Sequence, residues 1–357
     1  MHITLKRARD LGIVFEGETG GMNSITDVPE VEVGHSTIIF GDRESVVGSG
    51  PARTGITAIL PLGKKKVNSN LLAGASVLNG NGELTGISWL EESGMLSGPV
   101  MLTNTYSVGK VRDAVLKYMT DNELESDSLP VVGEISDEYL NDIRGQHIRE
   151  EHVFESIGRA QRENVEEGNV GGGTGAVCYE FKGGIGTSSR ILEVLEREYS
   201  VGVIVQANHG LRHHLNINGI PVGQHIRNNL VRTKESGSIV GVIITDAPLL
   251  PHQLKRLSRR AFLGLARTGS VSSNGSGDFF LSISTANSYD VDPGSMVEST
   301  WIPNSSIDPL LENVVYSTEE AIINALVAAE SMSGFGRHYV SAMPHDRVQE
   351  LLKKRRN

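Results

Sequence analysis

Residues 55–60, 99–103, 176–181, 199–206, 238–245 and 278–285 form six short runs dominated by apolar and β-branched residues, several of them apolar throughout. Strands covered on both faces read in this way, whereas a strand with one wet face alternates. Apolar residues recur at three- and four-residue spacing over 107–121, 151–166, 252–268 and 317–332, which predicts helices. The third of these follows Pro248 and Pro251 and stops before Gly269, the punctuation expected of a helix. Strands and helices do not alternate strictly, so two sheets covered by helices fit the pattern better than a doubly wound sheet.

Composition sharpens this picture. Glycine accounts for 41 of 357 residues and aromatics for only 5%, with the glycines spread beside β-branched residues and not gathered into a linker. That distribution predicts many short strands, tight turns and closely packed layers within a single domain, 1–357. Lys plus Arg number 33 against 43 Asp plus Glu, a net charge of −10, which argues against a protein that neutralises nucleic-acid phosphates. No apolar run approaches the roughly 18 residues of a membrane span, and no membrane partner is expected. The first ten residues are charged and lack the apolar core of a signal peptide, so a cytoplasmic setting is expected. Cys178 is the single cysteine, which excludes an intrachain disulfide and a cysteine zinc cage. Lys64-Lys65-Lys66 and Lys353-Lys354-Arg355-Arg356 read as solvated faces.

The motifs exclude several chemistries. Gly171-Gly172-Gly173-Thr174-Gly175 lacks the Gly-Lys-Ser/Thr ending of a phosphate loop, and it precedes a strand instead of joining a strand to a helix. It reads as a glycine-only backbone approach or as a loop lining a cleft. Asn208-His209-Gly210 and His213-His214 carry no His-Glu-x-x-His frame and read as polar turns. No Gly-x-Ser-x-Gly elbow is present, and Cys178 among apolar neighbours reads as a buried, inert thiol.

One pair stands apart. Gly237-Ser238 opens the apolar run 238–245, where an N-terminal nucleophile would have to sit. Gly237 tolerates a strained peptide, the Ser238 hydroxyl attacks its carbonyl, and the freed α-amine, of pKa about 7.7–8.0, serves as the serine's own base. Asn274-Gly275-Ser276-Gly277-Asp278 precedes the run 278–285 and offers a second hydroxyl and a carboxylate. Ser276 is a candidate partner for the Ser238 hydroxyl, and Asp278 for the terminal amine. Asn208, after the run 199–206, is a candidate amide donor to an oxyanion. Each also fits a plain turn residue.

Taken in order, several segments resemble the DmpA-type L-aminopeptidase/D-amidase–D-esterases and the β-peptidyl aminopeptidases. They are Asn81-Gly82-Glu83-Leu84-Thr85-Gly86, Leu102-Thr103-Asn104-Thr105, Val131-Val132-Gly133-Glu134, Asn169 to Gly175, Val205-Gln206-Ala207-Asn208, Thr245 to Pro251, and Asn274 to Asp278. The resemblance implies an α+β, four-layer αββα sandwich like that of N-terminal-nucleophile hydrolases. It also implies self-cleavage into a large chain 1–237 and a small chain 238–357, Ser238 as nucleophile, Ser276 and Asp278 in support, and Asn208 in the oxyanion hole. Ser136 matches the segment that supplies a second oxyanion contact, and Glu134 is expected to hold the substrate amine. The implied activity is release of N-terminal amino acids (L-α, D-α or β) from short peptides, amides or esters, without cofactor or metal, by a homo-oligomer of αβ units. Two alternatives remain: an acyltransferase of the ornithine acetyltransferase type, which uses threonine at the nucleophile position, and an unprocessed binding protein on the same fold.

Overall fold

The computed structural model describes residues 6–42, 44–124, 128–232, 234, 237–289 and 296–356. In chain order the main strands are β1 (Glu32–Phe40), β2 (Ala52–Leu60), β3 (Leu71–Gly80), β4 (Met95–Leu96), β5 (Val100–Asn104), β6 (Val131–Ile135), β7 (Val177–Cys178), β8 (Phe181–Lys182), β9 (Gly184–Val194), β10 (Arg197–Asn208), β11 (Ser238–Thr245) and β12 (Gly277–Ser288). The helices are α1 (Ile87–Ser93), α2 (Val108–Asp121), α3 (Glu150–Gly158), α4 (Val222–His225), α5 (Pro251–Arg267), α6 (Asp308–Ala328) and α7 (His345–Arg356). One sheet runs β1-β2-β5-β6 and the other β4-β3-β12-β11-β10-β9.

The four-layer expectation holds. Alternation along β11 divides its apolar residues between two cores. Ile239 and Ile243 pack with Leu254, Leu257 and Ala261 of α5 and Ile322 and Leu326 of α6. Val240, Val242 and Ile244 pack against Ile59, Leu102 and Val131 of the other sheet. A third core lies between the four-stranded sheet and the helices α2 and α3, with Val111, Val115, Val153 and Ile157 on Ile56, Met101 and Val132. The order is therefore helices, sheet, sheet, helices. It explains why 239–244 carries no polar side chain: both faces are dry, and each fully buried Val or Ile contributes roughly 1.5–3 kcal/mol.

Element boundaries largely follow the predicted ones. Pro251 opens α5, Gln253 accepts from the Leu250 N–H at 2.9 Å, and Gly269 at φ 99° follows its end. The predicted helix 151–166 stops instead at Gly158, because Gln161 turns back to exchange two 3.1 Å backbone bonds with Val33 of β1. The predicted helix 317–332 is α6, which starts earlier, at Asp308, with Pro309 in its first turn. The run 176–181 is not one strand but the hairpin β7–β8, with Tyr179 and Glu180 as its turn. Among the described residues no helix is long and apolar enough to cross a membrane.

Candidate active site

The glycine-rich loop crosses the end of the sandwich and shows why no side chain is tolerated there. A Cβ on Gly172 would overlap the Gln206 amide oxygen, and one on Gly175 would lie 2.9 Å from Cβ of Asp137. The loop is a backbone approach, and it leads into β7, beside the end of β10.

Three strand ends then meet. β10 and β11 are antiparallel with Asn208 opposite Ser238, while β11 and β12 are parallel with Ile239 beside Asp278. Asn208 and Ser238 fall on the strand face shared by Ile204 and Val240, toward the space between the sheets. The Ser238 hydroxyl oxygen accepts from the Gly277 N–H at 3.2 Å, and Ser238 is 5% exposed, buried yet reachable. Gly237 is pressed against β10, where a Cβ would overlap the Asn208 carbonyl oxygen. Residues 235 and 236 lie outside the described residues.

Ser276 and Asp278 are both fully buried at this end. The expected bond from Ser276 to Ser238 gives way to a different one: the Ser276 hydroxyl donates to Asp278 Oδ1 at 2.7 Å. Asn208 is held through its side chain on both ends. Its Oδ1 accepts from the Val177 N–H at 2.7 Å, which fixes the orientation of the amide, and its Nδ2 donates to the Ser136 carbonyl at 2.8 Å. Ser136 is therefore beside Asn208, as an acceptor through its main chain.

Glu134 is the penultimate residue of β6, which runs parallel to β5. It is buried, accepts from the Glu83 N–H at 3.0 Å and takes a short hydrogen bond from the Thr105 hydroxyl. Burial raises its carboxyl above the usual range against these two bonds, and the nearby charge of Glu83 adds to the rise. The segment Asn81-Gly82-Glu83 links the two halves of the site. Asn81 donates to the Gly275 carbonyl at 3.0 Å, while a Cβ on Gly82 would lie 2.7 Å from Glu134 Oε1 and 2.9 Å from the Phe279 ring.

Behind Ser136 lie two buried charges that sequence reasoning missed. Asp137 is pushed up to about 7 by burial, although Thr54 and Asn141 bond to it. Lys182 is pushed down to about 7 by burial, with its ammonium donating to the carbonyls of Gly183 and Gly173 at 2.8 and 3.3 Å. No local motif announces either, since each depends on the hairpin and the glycine loop packing together. Cys178 is buried, as expected, with its sulfur 3.9 Å from Nδ1 of His209. His213 and His214 lie in a short 3-10 turn, Arg212–His214. Two cavities of 470 and 580 Å³ open along the segment 158–167 and touch none of the candidate site residues.

A serine at the mouth of a central strand, preceded by a glycine and set in an αββα sandwich, defines the class of N-terminal-nucleophile-type hydrolases. The model of peptidase family S58 matches residues 23–340. The β-peptidyl aminopeptidase BapA of Sphingosinicella microcystinivorans is 45% identical over 98% of this chain and 92% of its own length. The L-aminopeptidase D-Ala-esterase/amidase of Ochrobactrum anthropi, described as a variant of the Ntn hydrolase fold, superposes with a TM-score of 0.92 at 42% identity over 98% of both chains. A β-aminopeptidase of a Burkholderia species superposes at 0.89 with 41% identity, over 98% of this chain and 99% of that one. The chain belongs to peptidase family S58, and it is an aminopeptidase.

Proposed function

We propose that the protein is a self-processing serine aminopeptidase, cut between Gly237 and Ser238 into chains 1–237 and 238–357. The observation that carries this is the strand-end geometry: Ser238 opposite Asn208, with Gly237 packed where no other residue fits. Attack of Ser238 Oγ on the Gly237 carbonyl breaks the C–N bond and forms an ester. Water then hydrolyses the ester, leaving a carboxylate on Gly237 and a free α-amine on Ser238.

In turnover the same hydroxyl attacks the carbonyl of the substrate's N-terminal residue. The Ser238 α-amine takes the hydroxyl proton and returns it to the leaving amine, doing the work that a histidine does in a triad. Asp278, oriented by Ser276, faces the terminal amine and favours its proton in transit. Asn208 supplies an amide N–H for the oxyanion once the Ser136 carbonyl yields it, and the segment at Ser136 supplies the second contact. Glu134, held by Glu83 and Thr105, receives the substrate ammonium, so a free amino terminus is required. Substrates are short peptides, amides or esters, including those with an N-terminal β-amino acid, the class named for the Sphingosinicella relative.

Half-exposed Val77, Leu78 and Trp89 support assembly of several αβ units, and the lone buried Cys178 fits a reducing cytoplasm. Intact mass under denaturing conditions tests the core of the proposal. Two species whose masses sum to 38.5 kDa plus one water are expected, the smaller beginning Ser-Ile-Val. A stable single chain would overturn self-processing.

A further inference from the structure

Upstream of Gly237 the chain is gripped by a buried carboxylate. Glu180 belongs to the β7–β8 turn, where Tyr179 at φ 48° and Glu180 at φ 60° both occupy the left-handed region. A two-residue hairpin turn has this backbone, and with Tyr and Glu in place of Asn and Gly it gains from a partner that holds it. Arg212 does so, donating from Nε to the Tyr179 carbonyl at 2.8 Å and from Nη2 to the Glu180 carbonyl at 2.6 Å. The Glu180 carboxylate then accepts the backbone N–H groups of Val231 and Arg232, both at 2.9 Å, and that of Arg212 at 2.8 Å.

Arg232 is thus anchored by its main chain, independently of any break at Gly237-Ser238. Its guanidinium reaches the site. Nη2 lies 3.5 Å from Asn208 Oδ1, Nη1 lies 3.5 Å from the Val177 carbonyl, and Nη1 is 2.9 Å from where a Cβ of Gly237 would be.

Self-cleavage changes the charge at this spot. One water enters, one C–N bond breaks, and a carboxylate and an amine appear side by side. Left together, the Gly237 carboxylate would stabilise the ammonium form of Ser238 and remove the free base that turnover needs. We propose that Arg232 is a positioning residue that receives the Gly237 carboxylate and keeps it off the Ser238 α-amine. This rests on the self-processing reading above. A planar guanidinium suits a carboxylate, which it can bind through two parallel hydrogen bonds.

Other charged or titratable groups also face this end: Asp278 from β12, Glu134 from β6, Asp137 and Tyr139 from the segment after it, and Glu180 and Lys182 from the hairpin. Asp278 acts on the same amine with the same sign as the stray carboxylate, so the effect of Arg232 adds to a basal value that Asp278 sets. The other cations here are committed elsewhere: Arg212 donates to the carbonyls of Tyr179, Ile226, Asn228 and Glu180, and Lys182, fully buried, to two carbonyls.

The test uses the processed enzyme labelled with [1-13C]glycine, because the chain end at Gly237 gives the one glycine carboxylate. In wild type its signal should titrate below the ordinary α-carboxyl range of about 3.3–3.7. In Arg232→Met it should return to that range or above it. The acid limb of the pH–rate profile for an amino-acid amide should then move up by roughly 1–2 units, with Arg232→Lys partly restoring it. An ordinary Gly237 titration in wild type, or an unmoved profile in the processed methionine variant, overturns the proposal. If Arg232→Met loses only a preference for dipeptides over amides, the arginine serves the substrate's carboxylate and the proposal falls. Should that variant stay uncut, the wild-type titration decides alone. Wild-type protein that stays one chain sinks the self-processing reading, and this proposal with it.

Discussion

At Gly237 the constraint is one of space. A methyl group would overlap the Asn208 carbonyl oxygen and lie 2.9 Å from the Arg232 guanidinium, so Gly237→Ala must push the peptide away from Ser238. Overpacking of this kind costs about 1–3 kcal/mol, and self-cleavage should slow roughly 10–100-fold. A cleavage half-time equal to wild type, followed by gel or mass, would show that the peptide does not need this packing. Ser238→Ala removes only an oxygen from a buried strand end whose backbone pairing it leaves intact. It should fold, remain a 38.5 kDa chain and release nothing from aminoacyl amides. Residual turnover by that variant would reassign the nucleophile.

Elements set which of these residues meet. Ser276 and Asp278 lie at the same end of the sheet as Ser238 because β12 runs parallel to β11 and starts there. Ser276→Ala takes away the 2.7 Å donor to Asp278 and should slow both self-cleavage and turnover by roughly 10²–10⁴, the range of acid–base and positioning effects. Rates unchanged within twofold would leave Ser276 a turn residue. This juxtaposition was readable in part: 238–245 and 278–284 are dry at every position and rich in apolar residues, and glycine marks the mouths of both. β9 was not readable. It carries Thr187, Ser188, Ser189 and Arg190, all buried, because Ser188 bonds the Ser317 carbonyl and Arg190 pairs with Glu320 at 2.7 Å. Patterning by hydrophobicity cannot see a strand whose polar groups are satisfied by residues far along the chain. The β7–β8 hairpin failed for the opposite reason. Its turn residues are Tyr and Glu, so the run looked continuous, with no Gly or Asn to betray the left-handed pair. Missing that turn also hid Glu180, and with it the anchoring of Arg232.

On the scale of the whole molecule, the layers close over Asp137 and Lys182, and this ties stability to pH through two terms of opposite sign. Asp137 has a folded pKa of about 7 against 3.8 in its ordinary state, so between these values the folded chain binds the extra proton. Its contribution to stability is therefore complete at low pH and declines as pH rises toward 7. Lys182 has a folded pKa of about 7 against 10.5, so between 7 and 10.5 the unfolded chain binds the extra proton. Its contribution grows as pH rises through that window and fades as pH falls back to 7. Together the two put a minimum near neutrality into the pH–stability curve. Urea midpoints of wild type and of the isosteric Asp137→Asn and Lys182→Met variants, taken from pH 5 to 10, isolate the terms. Asp137→Asn should gain on wild type as pH rises from 5 to 7, and Lys182→Met should lose its advantage over wild type from 7 to 10. Difference curves that stay flat across both windows would mean that the two charges balance each other in the folded state at every pH, and that neutrality carries no cost for this fold.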